Sequence, residues 1–525
     1  MKPSIFNDVI GPVMRGPSSS HTAASHRIGA IIRQVCSPEN GKVLVEFDRK
    51  GSLATTYEGQ GSAMGLISGL LGLSILDPSI VRYNELAKER GLDIRFLITD
   101  YEASHPNTYK IKVENENMEF RFVSISTGGG MIKINLLNGF DVSIHGDYFE
   151  TLVYCESQSD TTIQDLFQLL KNQTIHSEII LYQQGQNNYL INIKSRESIF
   201  DKVNEWVAEY EGVRWIRQIV PVMPIMSGVN KPLPFNSISE MMTLAEQKSM
   251  DFADLAILYE SERAGIDSQK VISLMRDIVL NIQNSIHEGL SGTVYDDRIL
   301  GHQSHLILEA DKANRIFHTP MNTIIAYTTA LMETKSSMGI IVAAPTAGSA
   351  GLLGGAIFGA AEGFTDDIER ITKAFLAAGL IGVFIADKYT FAAEEGGCQV
   401  ECGAGSAMAA AGLVQLIGGT ASQAINAASM ALQNLLGLVC DPVADRVEVP
   451  CLGKNILGAT NAMSSANMSI AGFDPVIPIN EVIDAMKSIG DSMPSSLRCT
   501  GCGGLSITPT ALKLHEILKK QRLKS

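Results

Sequence analysis

The back half of this chain constrains it most: long segments of small apolar residues there alternate with turns marked by glycine or proline. Ile340 to Ala344 and Ala374 to Ile385 are strongly apolar, but Pro345, Asp387 and Lys388 cut them short of the roughly 20 residues a membrane span needs. They predict helices buried within a large core. Three of the turns carry cysteine: Glu394-Glu-Gly-Gly-Cys398-Gln-Val-Glu401, Cys440-Asp-Pro-Val-Ala444 and Val447-Glu-Val-Pro-Cys451-Leu-Gly-Lys454-Asn455. Their spacing matches no short metal pattern such as paired CxxC. It fits buried free thiols that pack as small hydrophobes, and equally three thiolate ligands of an iron–sulfur cluster that leave one iron open.

A chain of 525 residues is too long for one core and suggests about three domains. With 45% hydrophobic and 19% charged residues it is expected to fold as an ordinary soluble protein. The net charge of −14 argues against nucleic acid or an anionic membrane surface as a partner and favours a small molecule. Met1-Lys-Pro-Ser-Ile-Phe has neither the apolar run nor the cleavage pattern of a secretory signal. Eight cysteines without such a signal do not form a disulfide framework, so a reducing cytoplasm is expected.

Residues 1–148 mix alternating, strand-like runs such as Lys42-Val-Leu-Val-Glu-Phe47 with a Gly/Ser/Ala-rich helical stretch from Gly61 to Leu73, which predicts an α+β domain. Residues 149–222 read strand, helix, strand, strand, helix, strand, a ferredoxin-like order. They look like an ACT-type domain, which binds effector amino acids or joins subunits; a purely structural spacer fits the pattern as well. Pro221, Pro224, Pro232 and Pro234 mark a linker, assigned to 223–236. Ser237-Ile-Ser-Glu240 is a candidate capping box, and helical signals dominate 237–525.

The motifs together resemble the iron–sulfur-dependent L-serine dehydratases, with both parts of that family fused in one chain. The β part is matched by Gly16-Pro-Ser18-Ser19-Ser20-His21-Thr22, Gly51-Ser-Leu53, His105-Pro-Asn107-Thr108 and Ser126-Thr-Gly-Gly-Gly130. The α part is matched by Ala344-Pro-Thr346-Ala-Gly348-Ser349-Ala-Gly351, Glu395-Gly-Gly-Cys398-Gln399 and the segments around Cys440 and Cys451. The resemblance implies an ammonia-lyase of amino-acid degradation and gluconeogenesis that converts L-serine to pyruvate and ammonia. It implies a [4Fe-4S] cluster on Cys398, Cys440 and Cys451 with one open iron, no pyridoxal phosphate, and a homodimer. It also assigns His21 and His105 to proton transfer, and Ser18, Ser19, Ser20, Thr22, Thr346, Gly348, Ser349, Lys454 and Asn455 to the substrate. Without the resemblance, the two Ser/Thr clusters read more readily as ordinary helix caps.

The chain departs from the family where Gly-His-x-Thr-Asp is usual, since Gly59-Gln60-Gly61-Ser62-Ala63 stands there. Gln60 cannot act as a base at neutral pH, so either His21 or His105 carries proton transfer alone or the activity has shifted. The alternatives are a lyase for a related β-substituted amino acid and a non-catalytic amino-acid-binding sensor. Cys402, an extra thiol, is either incidental or a fourth ligand. Cys499 and Cys502 form a CxxC pair that reads as a zinc half-site, as a redox pair, or as a substitute for the terminal cysteine that caps the open iron in some single-chain relatives.

Overall fold

The computed structural model describes residues 2–38, 40–115, 118–227 and 232–522. A six-stranded sheet comes first, ordered Asp93–Thr99, Lys42–Asp48, Thr108–Asn115, Met118–Gly128, Met131–Leu137, Phe140–Ile144. Its first pair is parallel and the rest antiparallel. Alternation places Val43, Val45 and Phe47 on the inner face with Tyr109, Ile111 and Val113. Helix Ala24–Cys36 covers that face through Ile28, Ile31, Ile32 and Val35. Against it lies helix Ser62–Leu70, whose Gly65 and Gly69 allow backbone contact: a Cβ at either would stand 2.1 Å from a carbonyl oxygen of Thr22 or His26. This approach fixes the Ser19–Ala23 turn that precedes the first helix.

The next sheet has four antiparallel strands, ordered Val213–Ile219, Phe149–Glu156, Asn188–Ser195, Glu178–Gln184. Helices Asp160–Gln173 and Phe200–Val207 pack on one face, where Val153, Cys155, Ile191 and Ile193 meet Ile163, Leu166, Leu170, Val203 and Val207. The elements follow one another in the order the sequence predicts. The opposite face, through Leu152, Leu190 and Ile219, joins the core of the first sheet, and Trp215 stacks on Tyr154 at 5.3 Å. Polar residues are trapped in this sheet. Glu150 is fully buried; its Oε2 accepts the Asn192 amide at 2.6 Å and its Oε1 has no partner.

Part of the proline-marked linker, residues 228–231, lies outside the described residues. Its flanks are packed: Ile225 exchanges two hydrogen bonds with the Asn7 amide, and Phe235 stacks on Tyr259. Ser237 caps the helix Ile238–Lys248 as expected, accepting the Glu240 amide at 3.2 Å, whereas the Glu240 carboxylate reaches Asn236 rather than Ser237. From here onward the regular elements of the described residues are helices apart from Ile341–Val342, where the sequence predicts a buried helix but a run this short before Pro345 forms a two-residue strand paired with Val13–Met14.

At the centre is helix Cys402–Leu416, every residue of it buried, enclosed by Ala350–Ala361, Ile368–Lys388, Ala421–Gln433 and Cys451–Ile470. Small side chains let these backbones approach closely. No described helix is long and apolar enough to cross a membrane. Ile5, Phe6, Val9 and Ile10 belong to this helical core rather than to the sheet that follows them in sequence. Gly379 and Gly382 make room for them, since a Cβ there would meet Ile5 at 2.6 Å and Val9 at 2.0 Å.

Burial pushes the Glu150 carboxyl up from 4.5 to about 7, against the nearby Lys194 and the Asn192 amide. A carboxyl whose pKa rises on folding contributes stability that is complete below its unfolded value and is lost as pH rises through its folded one. The thermal midpoint of the wild type is therefore expected to fall relative to Glu150→Gln between about pH 5 and about pH 8. Parallel pH profiles for the two proteins would contradict this.

Candidate functional site

The three cysteine turns end at one place. Cys398 opens a tight turn after Gly397, whose φ of +72° suits glycine. Cys440 lies in extended chain, and Cys451 is the first residue of a helix after Pro450. All three are buried. The ligand atoms of Cys398, Cys440 and Glu401 lie within 4.8 Å of one another. Cys451 lies close enough to feel the charge on Cys398.

Two further thiols join them. Cys402 is buried near Cys398 and Cys451, with the Asn455 amide 3.8 Å from its sulfur. Cys499 reaches Cys440 because their backbones pair, Cys440 donating to Leu497 at 2.8 Å and Cys499 to Cys440 at 3.0 Å. Cys502 is exposed.

Contacts with the Cys398 and Cys499 thiols, then burial, hold the Cys440 thiol above its usual range. Burial, then the negative charge on Cys398, does the same for Cys402 and Cys451. Thiols this close and this dry cannot all ionise unless positive charge joins them. Lys454 supplies some, 3.9 Å from the Cys398 sulfur and held by Asp441 at 2.7 Å. The donor set of clustered, buried sulfurs fits a soft metal centre.

Around this centre the two halves interlock. Ser19 accepts the Ala347 amide at 3.1 Å, and Thr22 donates to the Gln60 carbonyl at 2.9 Å. Ser18 and Ser20 are buried in the same turn. Thr346 donates to Glu401 at 2.5 Å, Ser349 donates to the Ala344 carbonyl at 3.1 Å, and Asn455 donates to the Gly348 carbonyl at 2.8 Å. A Cβ at Gly348 would stand 2.7 Å from the Glu401 carboxylate, which would have to move aside. The residues assigned to substrate thus converge near the thiols, several of them engaged with one another. Gln60 sits at the same place, its amide 3.7 Å from the Cys499 sulfur.

The two histidines differ in setting. His105 accepts the backbone N–H of Asn107 at Nδ1 (3.1 Å), so its proton sits on Nε2 and is donated to Glu395 at 2.5 Å. This pair faces a cleft of about 450 Å³ lined also by Asp8, Thr127, Tyr389 and Thr390. His21 is wholly buried between Thr56, 2.8 Å from Nε2, and Ser18, 3.1 Å from Nδ1. Burial lowers its pKa to about 3. Across from it, 3.6 Å from Nδ1, lies Glu394, a carboxyl not singled out in the sequence. Its only sequence signal was a second acid beside Glu395 in a glycine-marked turn.

Residues 236–506 match the model of the family "Serine dehydratase alpha chain". The chain is 35% identical over 283 residues to "Probable L-serine dehydratase, alpha chain" of Bacillus subtilis (strain 168), covering 54% of this chain and 94% of that protein. It is 43% identical over 150 residues to "Probable L-serine dehydratase, beta chain" of the same organism, covering 29% of this chain and 67% of that protein. With "L-serine dehydratase 1" of Escherichia coli (strain K12) it shares 29% identity over 291 residues, covering 53% and 63% of the two chains. Similarity to separate alpha and beta chains, meeting at one cluster of thiols, makes this chain a member of the serine dehydratase family that carries counterparts of both.

Proposed function

We propose that the protein is an L-serine ammonia-lyase, releasing pyruvate and ammonia from L-serine. The observation that carries this reading is the junction of the Ser18–Thr22 turn, the Thr346–Ser349 turn and the thiol cluster, in a chain similar to both dehydratase chains. Cys398, Cys440 and Cys451 would hold a [4Fe-4S] cluster, without pyridoxal phosphate. The chemistry supplied by such a centre is Lewis acidity at an open iron, which eases departure of the β-hydroxyl.

The chain's own residues bind and orient. Backbone N–H groups at the start of helix Ala350–Ala361 suit the substrate carboxylate, and Thr346 and Ser349 would join them by turning their hydroxyl protons from Glu401 and the Ala344 carbonyl. The Ser18–Thr22 turn adds hydroxyls, and Lys454 and Asn455 hold the thiol side of the site. Burial excludes water, which strengthens each of these polar contacts.

The same reading keeps the division at 1–148, 149–222, 223–236 and 237–525. It takes residues 149–222 as an ACT-type domain that binds an effector or joins subunits, and the protein as a cytoplasmic homodimer. The four-stranded sheet with two helices on one face supports the ACT assignment. Light scattering of a dimer at micromolar concentration is the expected result; a monomer throughout removes the dimer.

Anaerobically reconstituted protein is expected to absorb broadly in the visible and to form pyruvate from L-serine faster than from L-threonine or L-cysteine. Colourless, iron-free protein after reconstitution would refute the cluster, and turnover of another amino acid alone would change the substrate. Cys398→Ser, Cys440→Ser and Cys451→Ser should each lose iron and sulfide, because a hard hydroxyl replaces a soft thiolate poorly. Cys36→Ser and Cys155→Ser, whose thiols lie in the sheet cores, should keep both. Equal metal content in all five variants would overturn the ligand assignment.

A further inference from the structure

Glu394 is a buried carboxyl that the fold leaves half unsatisfied. Its side chain is 4% exposed, and its Oε2 has no hydrogen-bond partner. Leaving such an atom unpaired away from water is costly, so a fold that has no use for it tends to lack it. Beside it is the side-chain amide of Asn107 from the other half of the chain, buried, near enough to act on the carboxyl as a weak donor but with neither its nitrogen nor its oxygen in a well-formed hydrogen bond. The preceding residue, Ala393, packs directly against Cys398, Cys440 and Cys499. The unpaired carboxyl and amide therefore lie next to the thiol cluster, on elements from both halves.

The hydrogen-bond pattern fixes the state of its neighbour. The single proton of the Thr56 hydroxyl goes to the Ser52 carbonyl at 2.7 Å, so Thr56 must accept from His21 Nε2. The other ring nitrogen, Nδ1, then carries a lone pair, accepts the Ser18 hydroxyl, and faces Glu394 Oε1 at 3.6 Å. Nδ1 therefore offers no proton to Oε1, and the ring does nothing to stabilise a charged carboxylate. Burial holds the imidazole neutral, with its pKa near 3, and raises the Glu394 carboxyl to about 7. Of the two, the carboxyl is the group that exchanges a proton near neutrality.

We infer that Glu394 is the base that removes the Cα proton of the substrate, with neutral His21 packed beside it. This rests on the lyase reading above. The Cα–H bond breaks and its proton passes to Oε2, while the electron pair becomes the Cα–Cβ double bond. The Cβ–O bond breaks with its pair on the departing hydroxide, which a proton returned by the carboxyl converts to water. The broken bonds are on adjacent carbons, so the base must lie beside the metal ligands, as Glu394 does. Gln60, which has no titratable group, need not serve as the base.

The test uses anaerobically metal-loaded full-length protein with L-serine and its α-deuterated form. Glu394→Gln should lower kcat by about 10²–10⁴-fold, the usual contribution of a positioned base, with metal content, visible absorption and thermal midpoint kept. Glu394→Asp should retain a measurable rate with an enlarged α-deuterium isotope effect, which a merely structural role would not move. Wild-type kcat in Glu394→Gln, or an unchanged rate and isotope effect in Glu394→Asp, overturns the inference. Loss of metal from both variants also overturns it, by making Glu394 a support of the thiol turn. If metal-loaded wild type turns over no amino acid, the lyase reading itself fails and the inference falls with it.

Discussion

The carboxylate of Glu260 ties the two halves of this protein together. Fully buried, it accepts the Ser4 hydroxyl at 2.7 Å, the Ile5 amide at 2.8 Å and the Arg263 guanidinium at 2.8 Å. A charge without water is tolerated only with such complete pairing, and the pairing anchors the first residues of the chain inside the helical core. Ile5 and Val9 then fill the space left by Gly379 and Gly382, and Val13–Met14 pairs with Ile341–Val342. The chain leaves that pairing directly into the Ser18–Thr22 turn, which is thereby set against the Thr346 turn.

The thiols depend on a second constraint, close helix packing. The buried helix that begins at Cys402 carries only Gly, Ala and Ser over its first half apart from Cys402 and Met408, and a Cβ at Gly412 would stand 2.8 Å from the Ala374 carbonyl. Backbones at that separation let the turns at Cys398, Cys440 and Cys451 end side by side. The negative charge such sulfurs accumulate is expensive in a dry interior. Lys454 and Lys335 are the groups on the chain that offset it, as a metal held by the thiols would.

Much of this was legible before the fold was known, and the reasons are physical. The strand–helix alternation over 149–222 has clean periods of two and of about 3.6 residues, and the strands and helices appear in that order. Cysteines in glycine- or proline-marked turns signalled themselves because turns are where thiols can converge. The insertion of Ile5 to Ile10 into the helical core was not legible, since so short an apolar run says nothing of a partner more than 200 residues away. Cys499 stands out in the sequence as half of a CxxC pair, but nothing local sets it beside Cys440, because only long-range backbone pairing brings it there. His21 was visible as a histidine in a hydroxyl-rich run; its engagement at both nitrogens, and the facing Glu394, depend on burial that no local pattern encodes.

The central claim is that residues of the N-terminal half act on a ligand held at the thiols of the C-terminal half. An anaerobic titration of metal-loaded protein with L-serine, followed by the visible absorption of the centre, tests it most directly when wild type is compared with Asn107→Ala. The account predicts a saturable spectral change in the wild type, and in the variant an unaltered starting spectrum with serine affinity weakened by about tenfold, the worth of a lost hydrogen bond to a charged group. An identical titration in both proteins, or no spectral response to serine in either, would contradict it.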